Sequence, residues 1–170
     1  MAPNWPAVCL VHCTYLFAMV QAGPSPKLDG TDAVALHNSY RSVHGAPALT
    51  SSASLISGAQ SWANNIARTC IFRHSYTTGE GENLAWGFNT WADAMFAWYN
   101  EQALYSYTVP RYSRSTGHFT QMVWKDTTQV GCASAVSRCN ARTVFVCRYS
   151  PPGNWQGATN FRANVLPPVP

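Results

Sequence analysis

Hydrophobic residues recur every three or four positions through the first two thirds of the chain and then give way to dense runs of valine, aromatic and small residues. That change of period predicts helices first and strands late. Thr31 or Asp32 can cap a first helix whose apolar positions are Val34, Leu36, Tyr40 and Val43, ending before Gly45 and Pro47. A second helix follows Ser51 and Ser52, with Leu55, Ala59, Trp62, Ile66 and Cys70 on one stripe. Thr90-Trp91-Ala92-Asp93 reads as a capping box for a third helix that carries Trp91, Met95, Trp98 and Gln102 along one face. Leu104 to Gly117, with Pro110 and several serines, reads as a loop, and a short helix is expected from His118 to Trp124. Gln129 to Val136 and Thr143 to Tyr149, joined by Ser137 to Arg142, have the pattern of a β-hairpin. The tail ending Leu166-Pro-Pro-Val-Pro170 is expected to be extended or frayed. Helices and strands do not alternate regularly and no internal repeat is visible, which points to an α+β domain.

One apolar run fits none of these elements. Ala7 to Val20 has the length of a signal-peptide core, and Val20-Gln21-Ala22 offers small residues at the cleavage position, so residues 1–22 are expected to be a signal peptide. His12 interrupts the run and no Lys or Arg precedes it. As a membrane anchor the run is short for a bilayer, so no stable membrane insertion is expected. Residues 23–30, rich in Pro, Gly, Ser and Lys, read as a linker, residues 31–162 as the folded domain and 163–170 as its tail. Loss of residues 1–22 removes Cys9 and Cys13 and leaves Cys70, Cys132, Cys139 and Cys147, an even number that suits an oxidising, extracellular compartment. Four cysteines allow three connectivities, and spacing does not choose among them. The net charge of +4 comes from scattered arginines without basic runs, which argues against a nucleic-acid partner. No N-x-[ST] sequon is present, so N-glycosylation is not expected.

Four stretches carry a family resemblance. Gly117-His-Phe-Thr-Gln-Met-Val-Trp124, continuing Lys-Asp-Thr127, resembles the first signature of the CAP superfamily (SCP/TAPS, pathogenesis-related-1-like), and Val144-Phe-Val-Cys-Arg-Tyr-Ser-Pro-Pro-Gly-Asn-Trp155 resembles the second. Gly81-Glu-Asn-Leu-Ala85 and Trp98-Tyr-Asn-Glu101 match weaker patterns of the family in the right order. The resemblance implies a three-layer α-β-α sandwich with a central antiparallel sheet, and a secreted monomer. It implies a cleft tetrad of His74, Glu82, Glu101 and His118, and pairing of Cys70 with Cys132 and of Cys139 with Cys147. Plant members have a third disulfide before the first signature; this chain has no cysteine there, so the loop from Leu104 to Gly117 is expected to be less constrained.

Two imidazoles with two carboxylates suit zinc better than magnesium, and four hydrogen-bonded residues that hold the cleft without metal are the alternative. Tyr105, Tyr107 and Tyr112 resemble, by their spacing, the caveolin-like motif through which some family members bind sterol; ordinary packing of three tyrosines is the competing reading. The chain is therefore read as a secreted binder of sterols or other small lipids such as fatty acids, in defence, virulence or lipid export. A protein or cell-wall binding module is the second reading and a metal-dependent hydrolase the third. No H-E-x-x-H helix or G-x-S-x-G elbow is present, and no catalytic residue is assigned.

Overall fold

The computed structural model describes residues 31–77 and 79–170. The expected signal peptide, its two cysteines and the linker lie outside the described residues. In chain order the elements are α1 (Thr31–Val43), β1 (Thr50–Ser51), α2 (Ala53–Thr69), β2 (Gly81–Trp86), α3 (Trp91–Asn100), a 3₁₀ turn (Glu101–Leu104), α4 (Gly117–Val123), β3 (Gln129–Val136), β4 (Thr143–Ser150) and α5 (Ala158–Asn164). Among the described residues the strands form one sheet in the order β1-β3-β4-β2, antiparallel except where the two residues of β1 run parallel to β3.

The sheet is buried on both faces, and β4 shows how. Val144 and Val146 face α2, where they pack with Ala59, Ala63, Ile66, Leu84 and Ala133. Phe145, Cys147 and Tyr149 face the other way into the larger core with Trp91, Met95, Trp98, Phe119 and Trp124. Alternation of side chains along a strand thus gives each face its own helical layer. The layer of α2 lies flush on β3 because Gly131 has no side chain: a Cβ there would run into the Ile56 amide and the Leu55 carbonyl carbon.

The α2 stripe is observed, with Leu55, Ala59 and Ile66 buried and Ala63 and Ala67 added to it; Trp62 is half-buried. The α3 capping box is also present: Asp93 N–H donates to Thr90 Oγ1 (3.1 Å) and Thr90 N–H to Asp93 Oδ2 (3.2 Å). Gln102 falls in the 3₁₀ turn rather than in the helix.

The first helix turns a different face inward. Ala33, His37 and Arg41 are buried, with His44 just past its end, whereas Val34, Leu36 and Tyr40 are half-buried and Val43 is exposed. Polar side chains are tolerated inside because each is hydrogen-bonded. Arg41 donates to the carbonyls of Pro47, Met122, Trp124, Lys125 and Thr127, with no carboxylate partner among the described residues. His37 bridges the Ala33 carbonyl and the Tyr149 hydroxyl.

One strand was not expected, the tail follows one of its two expected forms, and the disulfide pairing is corrected. Gly81–Trp86 is a strand, β2, fully paired with β4. The C-terminal tail takes the extended one of its two expected forms and is tied down: Val169 N–H donates to the Val43 carbonyl (2.8 Å), and the Leu166 carbonyl meets His44 Nδ1 (2.6 Å). The disulfides pair Cys70 with Cys139 and Cys132 with Cys147, not Cys70 with Cys132 and Cys139 with Cys147. Register explains it. Cys132 and Cys147 oppose each other directly on β3 and β4, with Cα atoms 4.1 Å apart. Cys70 caps the end of α2 with φ of 62°, which brings it beside Cys139 in the β3–β4 connection.

Candidate functional site

The expected tetrad assembles as two histidine–glutamate pairs, one at the start of edge strand β2 and the other between the 3₁₀ turn and α4. In the first pair, His74 Nδ1 lies 2.8 Å from Glu82 Oε1. Glu82 Oε1 also accepts from Ser75 N–H (3.0 Å) and Oε2 from Ser75 Oγ (2.6 Å). Burial alone would raise the Glu82 carboxyl, but the hydrogen bonds from His74 and Ser75 and the His74 charge outweigh it and hold the pKa below the usual carboxylate range. In the second pair, His118 Nδ1 lies 2.6 Å from Glu101 Oε1, and Glu101 Oε2 accepts from the backbone N–H groups of His118 (2.9 Å) and Phe119 (3.1 Å). Glu101 therefore ties the first turn of α4 to the 3₁₀ turn. Trp98 stacks on the His118 ring, and Asn83 Nδ2 donates to the His118 carbonyl.

His74, Glu82 and His118 line one groove of about 580 Å³, with Glu101 behind His118. An ionised carboxylate only accepts, so Nδ1 of each histidine carries a proton, and in the neutral form of the ring the lone pair lies on Nε2. The carboxylate oxygens, by contrast, are already occupied by protein donors. The arrangement is that of carboxylate-oriented histidines, in which a metal would be held by His74 and His118 while Glu82 and Glu101 fix tautomer and ring orientation. The fit is to a two-imidazole site, not to four converging ligands. Among the described residues, the only three ligand-type side chains whose atoms lie within 4.8 Å of one another are His37, Cys132 and Cys147, and that group includes both halves of a disulfide.

Residues that pattern reading missed complete the site. Arg148 sits opposite Glu82 in the β2–β4 register, donates to Glu80 Oε2 (3.0 Å) and has its Nε 3.7 Å from Glu82 Oε2. Its guanidinium runs over Gly58 of α2, where a Cβ would lie only 2.5 Å from Nη1. The signal was available in principle, since Glu82 and Arg148 become neighbours once β2 is recognised as a strand.

The three tyrosines separate. Tyr105 is buried against Tyr107 and Phe119, its hydroxyl unpartnered and burial raising its pKa to about 12. Tyr107 is half-buried and accepts from Gln102 Nε2 (3.1 Å). Tyr112 stands exposed in the tetrad groove.

Residues 34–149 match the model of the cysteine-rich secretory protein family. The chain belongs to the CAP family. This CAP chain is 39% identical over 140 residues to the Candida albicans protein named Repressed by EFG1 protein 1, an alignment covering 78% of the chain and 52% of that protein. The chain thus spans about half the length of that relative. It is also 39% identical over 137 residues to the human Golgi-associated plant pathogenesis-related protein 1, covering 78% of the chain and 88% of the human protein. Among solved structures, NaASP2 with Zn2+ aligns at a TM-score of 0.64 and 23% identity over 85% of this chain and 87% of that one, which shows the shared fold.

Proposed function

We propose that this CAP protein is a secreted binder of sterols or fatty acids, acting in defence, virulence or lipid export. The observation that carries the reading is an apolar ledge beside the loop after α3. Phe96 is 60% exposed and, with Tyr99, Ala103 and Tyr107, lines a hollow of about 310 Å³; Leu104, which follows Ala103 in the chain, is 69% exposed. Large apolar side chains grouped on a surface forfeit burial energy unless something covers them. Aromatic walls with a few amides at the edge suit a flat apolar ligand with one polar end. Of the three spaced tyrosines, Tyr107 alone lines this hollow, so the ligand contact is assigned to Tyr107 and the ledge rather than to Tyr105 or Tyr112. Secretion is supported by the two disulfides and by the family's description as secretory. Binding of radiolabelled cholesterol and palmitate to purified protein tests the reading. The native protein should bind one of them saturably and the Phe96→Ala, Leu104→Ala variant should lose it. A native protein that binds neither points to a protein or cell-wall binding module.

A second reading concerns the tetrad. The free Nε2 atoms of His74 and His118 support reversible zinc binding, with the metal supplying Lewis-acid polarisation of whatever ligand group reaches the groove. Both imidazoles must be neutral to bind it, so affinity should fall on acidification. Equal zinc affinity of the native protein and a His74→Ala, His118→Ala variant by calorimetry would reject this.

A further inference from the structure

We infer that a hollow between the carboxy-terminal half of α2 and the end of β3 is a binding site for a phosphate or sulfate ester of a small polar molecule. The hollow measures about 700 Å³, and both Arg68 and Arg138 line it. Backbone contacts hold the two arginines on adjoining segments. Arg138 N–H donates to the Ala67 carbonyl (3.0 Å), and the Cys70–Cys139 disulfide closes just beyond them. No carboxylate competes for these cations: the lining residues include no acid, and neither α2 nor the stretch from Gln129 to Ser150 contains Asp or Glu. Arg68 Nη2 donates to Asn65 Oδ1 (3.1 Å), while the Arg138 guanidinium has no hydrogen-bond or ion-pair partner among the described residues.

The oxygens of the wall are taken by protein donors. Both amide oxygens are engaged, Asn65 Oδ1 by Arg68 and Asn64 Oδ1 by Gln60 Nε2 (3.0 Å), and Gln60 Nε2 also reaches the Ser134 carbonyl (3.0 Å). The last turn of a helix normally repels an anion through its unsatisfied carbonyls. Here the Asn65 carbonyl accepts from Thr69 Oγ1 (2.8 Å), the Ile66 carbonyl from Cys70 N–H (2.8 Å) and the Ala67 carbonyl from Arg138 N–H. What the hollow still offers a ligand is a surplus of donors: the Arg138 guanidinium, the other N–H groups of Arg68 and the Nδ2 groups of Asn64 and Asn65. Two positive charges among such donors call for an anion with several oxygens. The guanidinium forks match the oxygens of phosphate and sulfate two at a time, and a tetrahedral group has three to share between the two walls. Among the lining residues Val136 is the one large apolar side chain left exposed, so the site suits a polar carrier rather than a bilayer surface.

The test titrates glucose 6-phosphate and glucosamine 6-sulfate into the full secreted chain by calorimetry at pH 7.5 and low salt, with EDTA present to keep metal off His74 and His118. Saturable binding of at least one ester is expected, with nitrogen-15 NMR shifts at Arg68 and Arg138 Nε and at the Asn64 and Asn65 side-chain amides. Arg68→Gln and Arg138→Gln should each weaken it about tenfold, the scale of one charge-assisted hydrogen bond. Arg162→Gln, which removes the same charge from α5, should leave binding unchanged. The Phe96→Ala, Leu104→Ala ledge variant should also bind the ester normally, which keeps this outcome separate from the lipid reading. All these side chains are exposed except the half-buried Asn65, and melting curves that match the native protein confirm folded variants. Vesicles of phosphatidic acid in phosphatidylcholine test the same chemistry on a membrane. The inference is overturned if neither ester binds, if only the vesicles bind, if the Arg68 and Arg138 variants bind as the native protein does, or if Arg162→Gln weakens binding as much as they do.

Discussion

Acidification should destabilise this protein through one buried imidazole, and the structure gives the size of the effect. His37 is fully buried, with Nδ1 2.7 Å from the Ala33 carbonyl and Nε2 2.8 Å from the Tyr149 hydroxyl. A carbonyl only accepts, so Nδ1 carries the proton and Nε2 accepts from Tyr149 O–H. The Tyr149 oxygen in turn accepts from Asn83 Nδ2 at 3.2 Å. A second proton on His37 would reverse its half of this chain and leave the tyrosine hydrogen without an acceptor. Burial pulls the His37 pKa down to about 4; the Ala33 hydrogen bond opposes it, and the nearby Arg41 charge adds to it. The folded pKa thus lies below the unfolded value of about 6.5, so the stabilisation is complete above pH 6.5 and is lost as pH falls from there towards 4. A gap of roughly 2.5 units corresponds to about 3 kcal/mol in all, most of it gone by about pH 4.5. Urea unfolding at pH 7.5, 6.5, 5.5 and 4.5 measures it. His37→Gln, which keeps a neutral donor and acceptor, should be less stable at neutral pH by about 1 to 2 kcal/mol. Its curve should converge with that of the native protein on acidification. Native and variant curves that fall in parallel across this range would refute the argument.

Three further outcomes follow from the geometry. Peptide mapping without reduction should recover Cys70 joined to Cys139 and Cys132 joined to Cys147; with sequence separations of 69 and 15, removal of the first should cost about 4 kcal/mol and of the second about 3 in urea melts. Glu101→Gln should lower zinc affinity by calorimetry about 10- to 100-fold, because the carboxylate that orients His118 loses its charge, and an unchanged affinity would remove Glu101 from the site. Gly131→Ala should destabilise the protein by about 3 kcal/mol or prevent folding, since the added methyl has to displace the backbone of α2; a melting temperature within a degree or two of the native one would contradict that contact.

What could be read before coordinates were available divides by the range of the interaction. The Thr90–Asp93 capping box, the Leu55–Ala59–Ile66 stripe and the hairpin of β3 and β4 depend on neighbours within a few residues, and all appear in the structure. The inner face of α1 was illegible because His37, Arg41 and His44 look like surface residues until Tyr149, the Met122 carbonyl and the Leu166 carbonyl reach them from positions more than eighty residues away. The strand β2 was hidden by Glu82 and Asn83, whose polarity breaks the apolar pattern yet is satisfied by His74, Ser75 and the His118 carbonyl. His74, Glu82, Glu101 and His118 were reached through the family signatures, not through periodicity. Their division into two orienting carboxylates and two free imidazole faces needed atomic positions. The disulfide partners likewise depended on register, which spacing does not encode.

Arg41 has a consequence for how the chain comes together. Its acceptors lie on Pro47 on one side and on the stretch from Met122 to Thr127 on the other. A guanidinium removed from water with only some of those oxygens in place is a stranded charge, so a half-docked first helix gains nothing from partial approach. A fragment lacking the later half of the domain should therefore leave this arginine hydrated and the first helix unsettled.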